Sequence, residues 1–384
     1  MNRIRLILIC LILSTPFLAA STLSEQSKVS MLTCGAGDDL YSVFGHSALR
    51  VTDEQEGIDI VFNYGTFDFD APNFYLNFAR GKLNYILSVS GINSFMRGYV
   101  YEERYVLEQD LDLTLSQKQA LFDALKENRL PENRAYLYDF FYDNCSTRIR
   151  DMLKKVLGES LDYRLELAPE NKMSFRDYIE AYTFNVPWGD FGIDLALGLP
   201  TDKKVTPFHR MFLPEEMKLA FDRAVLLDEQ GNTRPLVEQE RMLLDLPVRA
   251  PQWQWGTPVQ VFWLLALIFV FLWWKNKLGN VLPRVTQGLI GLVGVVMVLL
   301  WFATDHTATA WNFNLLWTMP TWLLLAVLPS RKKTAHALNR VHRVLLLTTL
   351  LGWFFWPQDL HPAVVAIVVM MGVTVLGINN DNNG

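Results

Sequence analysis

The chain has 384 residues, 51% hydrophobic and 20% charged, with a formal net charge of −5. That length holds one globular domain and more besides, and the weak acidity, without a basic patch among aromatics, argues against a nucleic-acid partner. The six histidines are scattered and no HExxH or CxxC spacing occurs, so neither a metal nor another cofactor is expected.

The start, Asn2-Arg3-Ile4-Arg5, is basic, residues 6–18 are mostly apolar, and Ala19-Ala20-Ser21 is small. Residues 1–21 therefore read as a secretory signal peptide, with an uncleaved anchor as the alternative. Cys10 leaves with it, so Cys34 and Cys145 remain. In an oxidising compartment a disulfide and two free thiols both stay open. Thr33-Cys34-Gly35-Ala36-Gly37 reads as a flexible small-residue turn.

Residues 46–52 and 58–64 read as two strands around Asp53-Glu54-Gln55-Glu56-Gly57. If the numbers of opposed residues sum to 109, Leu49 meets Ile60 and Ser47 meets Phe62, giving one largely apolar face. Arg50 then faces Asp59 and His46 faces Asn63, whereas a sum of 110 loses the charge pair. The sum of 109 is the expectation. His46 is the sole histidine before residue 209 and so the candidate base of this region, unless it is an ordinary strand histidine.

Ser116 with Gln119 reads as a capping box opening a helix to Asn128. In residues 142–158, Asn144 is a good helix N-cap and Gly158 a good stop, with Ile149, Met152, Leu153, Val156 and Leu157 forming an apolar stripe. Cys145 falls in the first turn. Exposed N–H groups there favour a thiolate, although a lone buried cysteine also serves as inert packing. Cys–His–Asn is a recurring catalytic set, which singles out Cys145, His46 and Asn63 as nucleophile, base and orienter. Arg148 either favours the thiolate or lies on a solvated helix face.

Residues 22–250 form the outer domain and residues 251–257, with Trp253 and Trp255, the link into the membrane. Apolar runs at 259–274, 285–303, 308–329, 344–356 and 363–378 make a membrane domain, residues 258–378, of about five spans, the last two short. Lys275, Lys277 and Arg284 lie between the first two runs. Arg331, Lys332, Lys333, Arg340 and Arg343 lie between the third and fourth. Loops 304–307 and 357–362 carry no Lys or Arg, so the basic loops and the tail, residues 379–384, are expected in the cytoplasm. Asp305 and His306 either face headgroups or hold a lipid headgroup at a second site.

Phe44-Gly45-His46-Ser47-Ala48-Leu49-Arg50-Val51, Phe62-Asn63-Tyr64-Gly65-Thr66-Phe67-Asp68-Phe69 and Asp143-Asn144-Cys145-Ser146-Thr147 resemble the periplasmic domain of the Lnb family of lipoprotein N-acyltransferases. Phe191-Gly192-Ile193-Asp194-Leu195-Ala196-Leu197-Gly198, Phe212-Leu213-Pro214-Glu215 and the stretch from Asp305-His306 through Asn312-Phe313-Asn314 continue the likeness. The resemblance implies an α+β, permuted papain-like periplasmic domain, like the NlpC and lecithin–retinol acyltransferase groups, on an α-helical inner-membrane domain. It maps the nucleophile to Cys145 and the base to His46; Asn63 rests on the strand register. It implies a phospholipid acyl donor, a Cys thioester, and a diacylated lipoprotein acceptor within the lipid of the inner membrane. The Cys145 N–H, at the start of the helix that Asn144 opens, is the natural oxyanion donor and Tyr64 a second candidate. The rival readings are a tethered peptidoglycan endopeptidase or amidase, and an inactive membrane scaffold.

Overall fold

The computed structural model describes residues 22–67, 72–170, 172–329 and 332–377. The expected signal peptide and C-terminal tail, and Asp68 and Phe69 of the second motif, lie outside the described residues.

Strand β1 (Lys28–Cys34) is buried on both faces from Val29 onward. Cys34 therefore ends a core strand and is not part of a turn. Next come β2 (His46–Asp53), β3 (Ile58–Thr66), α1 (Phe74–Ala79), β4 (Asn84–Gly91), α2 (Ile92–Tyr101), β5 (Val106–Leu111), α3 (Leu115–Asn128), β6 (Ala135–Leu137) and α4 (Cys145–Leu157). Beyond α4 lie β7 (Leu161–Asp162), α5 (Phe175–Thr183), α6 (Pro187–Ala196), α7 (Pro207–Arg210), α8 (Pro214–Arg223), β8 (Val225–Leu227), β9 (Thr233–Pro235) and β10 (Val237–Leu244). Seven strands make one antiparallel sheet in the order β10-β5-β1-β2-β3-β4-β6, and β7, β8 and β9 a smaller one. On one face of the large sheet, Met31, Leu49, Val51, Phe62 and Tyr64 pack against Leu121 and Leu125 of α3, Ile149 and Leu153 of α4, and Phe221 of α8. On the other, Leu32, Ala48 and Val61 pack against Phe95 of α2.

The β2–β3 register departs from expectation. Leu49 lies opposite Phe62, Arg50 opposite Val61 and Val51 opposite Ile60, a sum of 111 rather than 109. The cause is Asp53, expected in the turn. It stays in β2, paired with Ile58, and its buried carboxylate accepts the Ser24 N–H (2.6 Å) and hydroxyl (2.8 Å). A slip of two residues leaves every side chain on its own face, because strand side chains alternate with a period of two. Arg50 therefore still reaches Asp59, now diagonally at 2.8 Å, and also Glu108 of β5 at 3.0 Å. The α3 cap is corrected as well. Thr114 and Gln117 form the capping box, while Gln119, expected to cap Ser116, accepts the Leu23 N–H at 2.7 Å.

The C-terminal region is helical: α9 (Pro258–Trp274), α10 (Val281–Phe302), α11 (Leu315–Thr318), α12 (Trp322–Val327), α13 (Lys333–Leu351) and α14 (Ala363–Gly377). Among the described residues α10 alone is long and apolar enough to cross a membrane by itself; α9, the 315–327 region and α14 are shorter apolar helices. Two expectations are corrected. The third apolar run is not one helix, for it breaks at Met319-Pro320, where proline has no N–H to give the helical ladder. The fourth begins at Lys333, so Arg340 and Arg343 lie within α13, and the Arg343 guanidinium donates to the Val375 carbonyl of α14 (3.1 Å).

Helix α6 joins the two parts. Its Phe191 belongs to the buried cluster of the membrane helices, beside Phe262 at 5.3 Å and His361 at 5.1 Å between ring centres. Asn312 and Asn314 donate to the carbonyls of Leu195 (2.7 Å) and Asp194 (3.0 Å). Gln358 donates to Leu197 O (3.0 Å), and Gly198 approaches Ala310 so closely that an added Cβ would meet its carbonyl oxygen at 1.9 Å. The 304–307 loop touches the domain too, the Asp305 N–H donating to Arg80 O at 2.9 Å. Both loops that lack Lys and Arg thus face the α/β domain.

Candidate active site

Cys145 is the first residue of α4, and the local sequence makes it so. The Asn144 carboxamide oxygen accepts the N–H groups of Ser146 and Thr147, both at 2.9 Å, while its amide donates to the carbonyls of Phe140 (2.7 Å) and Phe212 (2.8 Å). This cap uses the second and third free N–H groups of the helix. Among the described residues the Cys145 N–H has no acceptor, so it points the positive end of the helix at whatever sits beside the sulfur.

His46 begins β2. Its Nε2 donates to Asn63 Oδ1 at 2.5 Å, and the Cys145 side chain is the other partner of the imidazole. The Ser47 backbone N–H also donates to the sulfur, and the Ser47 and Ser146 hydroxyls, 3.0 Å apart, tie β2 to α4. Gly65 sits beside this meeting. Its φ of +85° lies in the left-handed region, and a Cβ there would sit 3.6 Å from Cys145 Cβ and 3.8 Å from His46 Cε1. Those distances are ordinary contacts, so what asks for glycine is the backbone conformation, at the point where the β3–β4 register shifts between Asn63 and Thr66; a thiol from the helix layer and an imidazole from the opposite face of the sheet come together beside it.

The electrostatics favour an ion pair. Burial works to raise the Cys145 pKa, but the charge and hydrogen bond of His46, the Ser47 N–H and the Ser146 hydroxyl outweigh it and lower the value from 9.0 to about 7. Burial likewise works against the His46 cation, yet the Cys145 charge and the bonds to Cys145 and Asn63 raise its pKa above 6.5. Cys34 behaves oppositely. Both cysteines are free and buried, so the disulfide reading falls. Cys34 lies opposite His46 across the β1–β2 pair, but burial pushes its thiol up to about 12. Of the two, Cys145 is the one whose thiolate the surroundings favour.

The other expected residues sit elsewhere. Tyr64 alternates to the helix side of the sheet, where its hydroxyl donates to Asn128 at 2.6 Å; that corrects the expectation of it as an oxyanion donor. The Arg148 guanidinium is held by the Asp143 carboxylate (2.7 Å for one contact) and lies over the Tyr136 ring at 3.9 Å. Asp305 and His306 dock on the chain after α1: Lys82 lies 3.7 Å from the Asp305 carboxylate, and His306 Nε2 donates to Phe78 O at 3.1 Å. Sequence reasoning missed the roles of Gly65 and the Ser47 N–H. The Asn63-Tyr64-Gly65 run carried a signal for the first, since glycine in a strand marks a bulge; a backbone N–H carries none.

A cysteine–histidine α+β domain is thus mounted on a helical membrane domain. Residues 17–181 match the Lnb N-terminal periplasmic domain, and residues 251–379 the Lnb transmembrane domain. The chain belongs to the Lnb family and is an inner-membrane protein with a periplasmic domain. No curated protein sequence and no solved structure matches it.

Proposed function

We propose that the protein is a thiol-dependent acyltransferase that moves a fatty acyl chain from a phospholipid to the N-terminal amine of a lipoprotein, through a thioester on Cys145. The observation that carries this reading is the Cys145 thiol at a helix N-terminus, hydrogen-bonded to a histidine that Asn63 holds, with its pKa lowered to about 7. In this reading the α/β domain is permuted papain-like, the histidine strand preceding the cysteine helix, and the membrane domain brings both lipids to the depth of the site.

The thiolate attacks the ester carbonyl, and the negative oxygen that forms is stabilised by the Cys145 N–H. The His46 imidazolium protonates the departing glycerol oxygen, leaving a thioester and a neutral imidazole. The free α-amine of the lipoprotein's terminal cysteine then attacks the thioester. His46 takes its proton, the C–S bond breaks, and an amide and the thiolate–imidazolium pair remain. Incubating the full chain with a radiolabelled-acyl phospholipid tests this. An acyl group on Cys145, released by hydroxylamine and absent from Cys145→Ala, is the expected result; no acyl-enzyme in the native protein, or release of muropeptides from peptidoglycan instead, overturns it.

A further inference from the structure

The candidate site lies at one end of the large sheet. Cys34 closes β1 opposite His46, which opens β2, and Thr66 at the end of β3 lies opposite Ile86 near the start of β4. Two connections are therefore made at that end: residues 35–45 join β1 to β2, and the stretch that holds α1 joins β3 to β4. Both carry bare apolar side chains. Leu40 and Tyr41 are exposed in the first, Tyr41 at 64%. Tyr75, Leu76 and Phe78 of α1 are exposed in the second, Tyr75 at 78%. At the opposite end, the turn from β2 to β3, Glu54-Gln55-Glu56-Gly57, is exposed and carries no apolar side chain. A soluble domain seldom gathers such side chains at one end in water.

Each connection is fastened beside the outer end of a different membrane helix. The Asp305 N–H donates to Arg80 O at 2.9 Å, His306 Nε2 donates to Phe78 O at 3.1 Å, and a Cβ on Gly81 would sit 3.2 Å from His306 N, so α1 lies against the loop that leaves α10. Helix α10 has 22 residues and is thus about 33 Å long, close to the thickness of a bilayer's hydrocarbon. Its last residue, the exposed Phe302, marks the interface, and α1 sits at that level. Arg80 and Lys82, both exposed, follow α1 and suit lipid phosphates. The other connection rests on α6, where a Cβ on Gly189 would meet Leu40 Cδ1 at 2.8 Å. The adjacent Trp188 donates to Gly256 O at 2.8 Å, directly before Thr257, the N-cap of α9. Trp255, exposed beside it in the chain, is an aromatic of the kind that marks a span's entry into the bilayer.

We infer that the two connections are feet that enter the headgroup region of the periplasmic leaflet, Leu40 and Tyr41 on one side and Tyr75, Leu76 and Phe78 on the other. The sheet end that carries His46, Asn63 and Cys145 then stands on the bilayer between them, because β2 and β3 lie between β1 and β4 in the sheet. The partner of this surface is lipid. Its apolar side chains leave water, while the tyrosine hydroxyls and the cations after α1 stay among the headgroups. The inference stands on the fold and the membrane domain, so it holds or fails apart from the acyl-transfer reading. Joined to that reading, it puts the ester that Cys145 attacks at the bilayer surface.

Fluorescence quenching tests this on the full-length protein in nanodiscs of phosphatidylethanolamine and phosphatidylglycerol. The background is Cys10→Ser, Cys34→Ser and Cys145→Ala, so that one added cysteine carries the fluorophore and no acyl transfer is needed for the readout. Labels on Tyr41→Cys and on Leu76→Cys should each lose most of their emission to lipid spin-labelled near the headgroup, and little to iodide. A label on Gln55→Cys, in the turn at the far end of the sheet, should show the reverse. Leu40→Cys and Phe78→Cys give each foot a second position and should repeat the pattern. A foot whose labels iodide quenches as readily as the one at position 55 overturns the proposal. So does quenching of the label at position 55 by the spin-labelled lipid, which would lay the sheet flat on the bilayer.

Discussion

At the residue scale, the two charges of the Cys145–His46 pair make pH the sharpest probe. Thiolate increases as pH rises through about 7, while the imidazolium, which in the proposed reaction would protonate the leaving alcohol, is lost above its raised pKa. Acyl-enzyme formation should therefore rise through pH 7 and fall at higher pH. Alkylation by iodoacetamide needs only the thiolate, so it should rise through about 7 and then level. In His46→Ala burial acts on the thiol without its main counterweight, and the alkylation midpoint should move to 9.0 or above. A midpoint that stays near 7 in that variant would remove His46 as the cause. Asn63→Ala frees the imidazole ring without removing it, and should slow acylation roughly ten- to a hundredfold. Tyr64→Phe loses only the bond to Asn128, so it should cost about 1 kcal/mol of stability and leave the rate near normal. The reverse order of the two rates would mean that Tyr64, not Asn63, serves the site.

At the element scale, α4 depends on one residue for its start and its seat. Asn144 caps two N–H groups and donates to two carbonyls, one of them the distant Phe212 O. Asn144→Ala should lower stability by about 1–2 kcal/mol and free two further N–H groups, so that the Cys145 alkylation rate changes along with the melting temperature. Asn144→Asp keeps the acceptor but loses both donations, and should recover the cap without the tie to Phe212. Helix α5 shows a different dependence. Arg176 is almost fully buried between Asp194 (2.6 Å) and Asp202 (2.9 Å), and so holds α6 and the turn after it in the orientation that meets the membrane helices. Arg176→Ala leaves the buried Asp194 carboxylate without its partner and Asp202 with only the Asp359 N–H, which should cost roughly 3–5 kcal/mol. Thermal unfolding in detergent micelles measures it; an unchanged midpoint would show that the joint does not rely on this ion cluster.

At the scale of the whole molecule, the two loops free of Lys and Arg both contact the α/β domain, while Lys275, Lys277 and Lys333 lie at the other ends of their helices. A single cysteine at the exposed Pro357 should react with an impermeant thiol reagent in spheroplasts, and one at the exposed Thr334 should react only after lysis. The opposite pattern would invert the orientation. Gln358, in the same loop, is unsuitable because it is buried against Leu197 and Phe313.

Composition, period and charge are local properties, and the features they govern are legible in the chain alone. The helical stripe after Asn144, the alternation that puts His46 and Asn63 on one face and the charge bias of the membrane loops all depend on neighbours in sequence. Even the wrong register kept the right faces, so Arg50 still reaches Asp59 and His46 still reaches Asn63 although neither pair is directly opposed. Tertiary structure decided the features that depend on distant partners. Asp53 is drawn into its strand by Ser24, and Cys145 meets His46 from a helix about a hundred positions further along the chain. The third apolar run breaks at Pro320, and its neighbouring Asn312 and Asn314 are taken up by carbonyls of α6 more than a hundred positions earlier. Buried polar groups must find hydrogen-bond partners, those partners stand on segments far apart in the chain, and no local pattern encodes which segment will supply them.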